Sequence, residues 1–211
     1  MDTDRKALLH AGCSAVSWST QDGKKLWGRN LDFNRMARGS MVTYLPRGGR
    51  YSTCLTETEE KPWVGEGTHT AAYAAVGTGL FLAPAAPVLY EGINEKGLMG
   101  GQLYYRQFAR YEEVVRPDTS PIQPPFLVCH MLSQCATVEE VTRAAEQEFT
   151  LVNRPMLGTV PPLHWMFSDA AGECVILEPD EDGLRVYRHT IGVMTNSPGY
   201  GWHRLNLLNY A

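Results

Sequence analysis

Runs of β-prone residues separated by short turns fill both ends of this 211-residue sequence, and two helical stretches lie between them. Strands, then helices, then strands is the order of an α+β layering, with helices packed on sheets. At the N-terminal end, segments 14–20 (SAVSWST) and 25–31 (KLWGRNL) flank Gln21-Asp22-Gly23-Lys24. An Asp-Gly between two such runs is a strong hairpin signal. Segment 40–46 reads as a strand closed by the turn Arg47-Gly48-Gly49-Arg50, and 71–77 reads as a buried strand. Segment 98–105 follows the turn Asn94-Glu95-Lys96-Gly97, and its glycines at 100 and 101 predict a close approach by another part of the chain. Segments 163–169, 173–179, 184–190 and 191–197 are joined by short turns and predict an antiparallel meander of three or four strands.

Helical periodicity appears after Pro124-Pro125, where Phe126, Cys129, Leu132 and Cys135 recur by threes. A second helix begins at Thr137. Thr137 and Glu140 have the form of a capping box, and Val138, Val141, Ala145 and Phe149 make its apolar stripe. Segment 202–210 starts an amphipathic helix that breaks off at Ala211, which predicts a missing continuation.

Composition narrows the function. The 20 glycines and 13 prolines favour many turns. The formal charge is −4 with no basic stretch, which excludes nucleic acid as an expected partner. Five cysteines, an odd number, lack any CxxC pair, which points to a reducing compartment and a cytoplasmic location. The N-terminus has no apolar core of signal-peptide length. The uncharged stretch 67–90 approaches the length of a membrane span, but Pro84, Pro87 and its glycines make a strand followed by a loop the better reading. Cys129, His130 and Cys135, even with His164 or His203 added, have no structural-zinc spacing, so neither a metal nor a cofactor is expected. His164 reads as a satisfied core histidine, His203 as a helix-start packing residue, and Asp169 as a turn residue.

Cys13 precedes the first hairpin, whose second strand carries Arg29 and Asp32. In a hairpin centred on Asp22-Gly23, residues near 13 lie opposite residues near 32. A thiol, a guanidinium and a carboxylate can then meet at one end. The attacking species of a cysteine is its thiolate, which a neighbouring guanidinium favours. Removal of the twelve residues before Cys13 would place an α-amine, with a pKa near ~8, beside the thiol as a general base. Asp32 could hold that amine.

Four motifs carry a resemblance. GRNLDF at 28–33, EGINEKGL at 91–98, LHWMFSDAAGECVILEP at 163–179 and GVMTNSPGYGWHRLNLLNY at 192–210 resemble, in order, motifs of the choloylglycine hydrolase family, which includes bile salt hydrolases and penicillin V acylases. The resemblance covers the chain from Cys13 to its end. It implies an αββα N-terminal-nucleophile fold, incomplete at its C-terminal end, with 1–12 as a leader and 13–211 as a single amidase domain. It also implies roles: Cys13 as nucleophile, Arg29 and Asp32 as active-site partners, and Asn196 as oxyanion donor. Tyr104 falls at an oxyanion-site position that is Asn in many bile salt hydrolases and Tyr in some penicillin V acylases. The implied reaction is hydrolysis of a linear amide of small-molecule size, without a cofactor or membrane partner, by a homo-oligomer of tetrameric type.

Two departures accompany the resemblance. Twelve residues precede Cys13 where many family members lose only Met, so either the chain processes itself at Gly12–Cys13 or its start lies closer to the cysteine. The family's chain also continues beyond the Trp-His helix and supplies another active-site arginine. The alternatives to an active amidase are an inactive truncated fragment and a non-catalytic binding or oligomerisation module on the same scaffold.

Overall fold

The computed structural model describes residues 11–33, 38–56, 64–82, 85–156 and 158–210. Most of the expected leader and Pro84 therefore lie outside the described residues. The fold is α+β. Fourteen strands are described: β1 (Ala11–Ser19), β2 (Lys25–Phe33), β3 (Met41–Leu45), β4 (Arg50–Thr56), β5 (Val64–Thr70), β6 (Ala75–Phe81), β7 (Pro87–Asn94), β8 (Met99–Tyr104), β9 (Ser120–Ile122), β10 (Phe149–Leu151), β11 (Leu163–Ser168), β12 (Cys174–Asp180), β13 (Gly183–Tyr187) and β14 (Val193–Thr195). The helices are α1 (Leu127–Gln134), α2 (Val138–Gln147) and α3 (Tyr200–Asn206). No described helix is long and apolar enough to cross a membrane.

An antiparallel sheet of order β13-β12-β11-β8-β7-β6-β3 forms the centre, and a smaller sheet of order β14-β1-β2 packs against it. Cys13 and Ala15 from the small sheet meet Leu103, Met166 and Ile176 from the large one in the cluster between them. The larger core lies on the other face, where Leu127, Val128, Met131 and Leu132 of α1 and Val138 and Val141 of α2 join Trp165, Phe167 and Leu177. Burial on this scale, at about 25 cal/mol per Å² of apolar surface, is what holds the layers together.

The local signals explain most of these elements. The 3-10 turn Pro124–Phe126 leads directly into α1, which is buried all round instead of along one stripe. Thr137 Oγ1 accepts from Glu140 N at 3.2 Å, and Glu140 Oε2 accepts from Ala136 N at 2.6 Å, so the capping box closes one residue early. Asp169 is more than a turn residue. It accepts from Ala171 N and Glu173 N in its own turn, and also from Val138 N at the start of α2. Asn94 does the same for the turn before β8: its Oδ1 accepts from Lys96 N and Leu98 N, while its Nδ2 donates to the carbonyls of Leu132 and Cys135 at the end of α1. Gly97, at φ +84°, closes that turn.

Two expectations shift, and the meander takes the shorter of its two expected lengths. The strand expected over 71–77 starts at Ala75, because Ala72 N and Tyr73 N donate to Ser133 O and tie 71–74 to the end of α1. The meander stops at three strands, β11-β12-β13. Gly192, at φ +73°, accepts from Ser17 N through its carbonyl and turns β14 onto β1. The hairpin register also differs. The loop spans 20–24, with Ser19 opposite Lys25, so Cys13 faces Leu31 and Gly12 faces Asp32. The predicted close approach at β8 is present: a Cβ on Gly100 would sit 2.2 Å from the Phe167 ring, and one on Gly101 would sit 3.1 Å from Tyr90 O.

Candidate active site

Cys13 and Arg29 point to the same side of the β1–β2 ribbon, because Cys13 pairs with Leu31 and Ala15 pairs with Arg29. Arg29 Nη2 donates to Cys13 Sγ at 3.6 Å. The guanidinium is 3% exposed and crosses to the central sheet, where Nη1 meets Glu91 Oε2 at 2.6 Å and the Tyr90 carbonyl at 3.4 Å. A buried charge needs such a partner. Glu91 was not singled out in the sequence. The available signal was its place at the head of the EGINEKGL motif.

The third element comes from the C-terminal end of β14. Asn196 Oδ1 accepts from Cys13 N at 2.6 Å, and its Nδ2 donates to Tyr104 O at 2.9 Å. Thr195 Oγ1 donates to Cys13 O and Ser197 Oγ to Arg106 O, fixing the segment on both sides. His203, expected as a packing residue, places Nε2 2.9 Å from Asn196 O and holds that main chain from α3. Beneath it, Glu178 accepts from Tyr200 N through both oxygens and lies 3.0 Å from His164 Nδ1. His164 and Glu178 are each 1% exposed. Burial lowers the His164 pKa, with Glu178 acting in the opposite direction.

Cys13, Arg29, Tyr104 and Asn196 are thus brought together. Asp32 is not at the thiol. It sits opposite Gly12, on the other face of the ribbon, and is exposed. Its strand position is beside the Gly12–Cys13 peptide.

Arg29 and Tyr104 also line a cavity of about 240 Å³. Its walls are mainly apolar, with Leu82, Val88, Met156 and Leu163 among them, and Tyr90 and Gln102 add polar groups. Burial raises the Tyr104 pKa, so its phenol stays protonated. Arg106 lies over the Tyr104 ring at 5.0 Å. Cys54 also accepts from an arginine, Arg154 Nη1 at 3.6 Å, but among the described residues the other three thiols have no such partner. Burial pushes Cys129 and Cys135 up to about 12 and Cys174 up to about 11, which keeps them as inert thiols. Among the described residues, no group of three or more His, Cys, Asp or Glu is placed to hold a metal ion.

Comparison with known proteins gives a consistent picture. The family described as linear amide C–N hydrolases, choloylglycine hydrolase family, matches residues 13–211, beginning at Cys13. The chain is 30% identical over 201 residues to a bile salt hydrolase/transferase of Clostridium perfringens, covering 94% of this chain and 57% of that protein. It is 30% identical over 200 residues to a bile salt hydrolase/transferase of Lactiplantibacillus plantarum, covering 94% and 56%. It superposes on a mutant conjugated bile acid hydrolase from Clostridium perfringens with a TM-score of 0.80 at 28% identity, covering 94% and 57%. Penicillin V acylase from Agrobacterium tumefaciens shares the fold, with a TM-score of 0.69 at 24% identity and coverage of 94% and 56%. The chain therefore spans a little over half the length of these relatives. With the match running from Cys13 to the last residue, the chain belongs to the choloylglycine hydrolase family.

Proposed function

We propose that this chain carries a cysteine amidase site in which Cys13 attacks the carbonyl of a linear amide. The observation that supports this most is the double engagement of Cys13: its sulfur is held by Arg29 and its nitrogen by Asn196. In the proposal, residues 1–12 are a leader whose removal frees the α-amine of Cys13. The neutral amine keeps a hydrogen for Asn196 Oδ1 and gains a lone pair that takes the thiol proton. The sulfur then adds to the carbonyl carbon, and the carbonyl oxygen becomes an oxyanion. Asn196 Nδ2 has a second hydrogen beyond the one given to Tyr104 O, and that hydrogen serves the oxyanion. Tyr104 borders the same space. The protonated amine returns its proton to the leaving nitrogen, the C–N bond breaks, and water hydrolyses the thioester. Asp32, beside residue 12 in the ribbon, orients the freed amine.

The acyl side of the substrate occupies the apolar cavity. At about 240 Å³ that cavity is smaller than the usual ~300–1,000 Å³ of pockets for drug-sized ligands. A compact aryl or alkyl acyl group, as in penicillin V acylase-like chemistry, fits this volume better than a steroid nucleus. A homotetramer and a cytoplasmic location belong to the same proposal, supported by family resemblance and by the absence of any paired cysteine among the described residues.

Intact mass and N-terminal sequencing of the expressed chain, followed by rates on penicillin V, glycocholate and an acyl-homoserine lactone, test the reading. The expected result is a mature protein beginning at Cys13 that turns over an amide with a compact acyl group. A protein that begins at Cys13 and hydrolyses none of the three would overturn it.

A further inference from the structure

A second hollow lies at the other end of the β1–β2 ribbon from Cys13. Its volume is about 150 Å³ and its walls are mostly polar, with Ser17, Ser19, Lys25, Cys174 and Thr190 among them. Lys25 supplies the charge. Its Nζ donates to Ser19 Oγ at 2.7 Å, and its stem crosses Gly172, where a Cβ would sit 2.7 Å from Cε and 2.9 Å from Nζ. Glycine at 172, at φ +89°, is what leaves room for the ammonium. Lys25 is half-buried and Ser19 exposed, so solvent reaches both. The adjacent Lys24 pairs with Asp22, but among the described residues no carboxylate lies within ion-pair distance of Lys25. The carboxylates nearest to the hollow in sequence are already engaged. Asp169 accepts from the main-chain nitrogens of Val138, Ala171 and Glu173, and Glu173 meets Arg188 at 2.7 Å. Lys25 keeps two hydrogens beyond the one given to Ser19, and Ser19, which accepts that one, keeps its own. Thr190, which accepts from Gly192 N, adds a hydroxyl. Burial pushes the Cys174 thiol up to about 11, so it stays neutral and does not repel a negative charge.

We infer that this hollow binds a small oxyanion of the phosphate or sulfate type, with the Lys25 ammonium and the Ser19 hydroxyl as its first contacts. A pinned ammonium beside a hydroxyl hydrogen gives charge-assisted hydrogen bonds to more than one oxygen of the same ion. The ion also supplies the counter-charge that Lys25 lacks among the described residues. The lining comes from three segments: the β1–β2 hairpin, the turn into β12, and residues 190–192, which lead into β14. A bound ion therefore ties the small sheet to the large one and stabilises the fold by mass action. No residue of this hollow belongs to the proposed amidase site, so the two readings stand or fall separately.

The test titrates inorganic phosphate into the full chain at fixed ionic strength, balanced with sodium chloride. Thermal melting and the amide NMR signals of Gly172 and Gly192 follow the titration. The expected result is a saturable rise in Tm, with shifts at those two amides. Lys25→Met is expected to need about tenfold more phosphate for the same rise, the scale of one charge-assisted hydrogen bond. Ser19→Ala, which removes a hydroxyl and leaves the charge, is expected to weaken the response by a smaller factor of roughly two to five. A cooperative melt without phosphate shows that each variant is folded, and if Lys25→Met fails it, Ser19→Ala decides. The absence of a saturable rise in the unaltered chain overturns the inference. An equal rise in Lys25→Met also overturns it, because the effect then belongs to exclusion of the ion from the surface as a whole. Shifts confined to amides away from the hollow overturn it as well, as does an unweakened response in Ser19→Ala where that variant decides.

Discussion

The main-chain nitrogen of Cys13 and the side chain of Asn196 meet at 2.6 Å across 183 residues of sequence. The same Asn196 amide reaches Tyr104 O at 2.9 Å, so a single side chain spans the two sheets. Three strands, β1, β8 and β14, are thereby fixed relative to one another at the thiol. A geometry held by hydrogen bonds on rigid strands is what acyl transfer requires, because a donor must already be aimed where the negative charge develops.

Asn196→Ala is expected to lower kcat/KM on any amide substrate by about 10²–10³, the usual cost of losing one oxyanion donor. The effect should fall mainly on kcat. Steady-state kinetics of the two proteins side by side checks this, and an unchanged kcat would remove Asn196 from the proposed role.

Arg29 and Glu91 form the ion pair that crosses the layers. Glu91→Ala leaves a guanidinium that is 3% exposed without its carboxylate. Breaking a buried pair costs about 3–5 kcal/mol, and the quarter exposure of Glu91 reduces that to roughly 2–3. Adding Arg29→Met should recover most of the stability but not the activity. Urea denaturation of both single variants and the double variant closes the cycle.

The layering was legible because β-prone runs and helical periodicity are local signals. Asn94 and Gly97 announced their turn, and Gly100 and Gly101 announced the crowding against Phe167 and Tyr90. The hairpin register was legible only to within one residue. A two-residue Asp-Gly turn places 13 opposite 32, whereas the five-residue loop observed places 13 opposite 31. In a strand, one residue is the difference between two faces, so Asp32 moved away from the thiol side. Glu91 was not legible, because its meaning depends on which strands become neighbours. Nothing local to Glu91 identifies Arg29, 62 residues away, as its partner. The attachment of β14 to β1 is likewise a long-range choice that alternation alone does not make.

Asn94 lies inside a motif shared by the family resemblance, yet its bonds are structural: two to its own turn and two to the end of α1. Asn94→Ala is expected to cost about 2–4 kcal/mol, because several buried groups lose their partner at once. The rate per folded molecule should stay near that of the unaltered chain. Thermal melting combined with titration of the reactive thiol separates the two effects. A large loss of turnover at full folding would show that the motif does more than hold the turn.

His130 governs a pH dependence whose sign follows from burial. It sits on α1, with Nδ1 3.1 Å from Tyr51 Oη and its ring 4.7 Å from that of His69. Burial, together with His69, pushes its pKa down to about 3 from 6.5. The groups that face it from other elements are Tyr51 on β4 and His69 on β5, and burial also lowers the His69 pKa. Between pH 6.5 and about 3 the unfolded chain binds a proton at this position that the folded chain does not. Stability therefore rises with pH across that window and is lost as pH falls, by up to roughly 1.4 kcal/mol per pH unit for one such group. Removing the titration with His130→Asn should flatten the slope by close to one proton, even if the variant is less stable at pH 7. Urea melts at half-unit steps from pH 7 to pH 4 supply the slope. An unchanged slope in the variant would assign the acid sensitivity to other groups, with His164, whose pKa burial also lowers, the first to replace next.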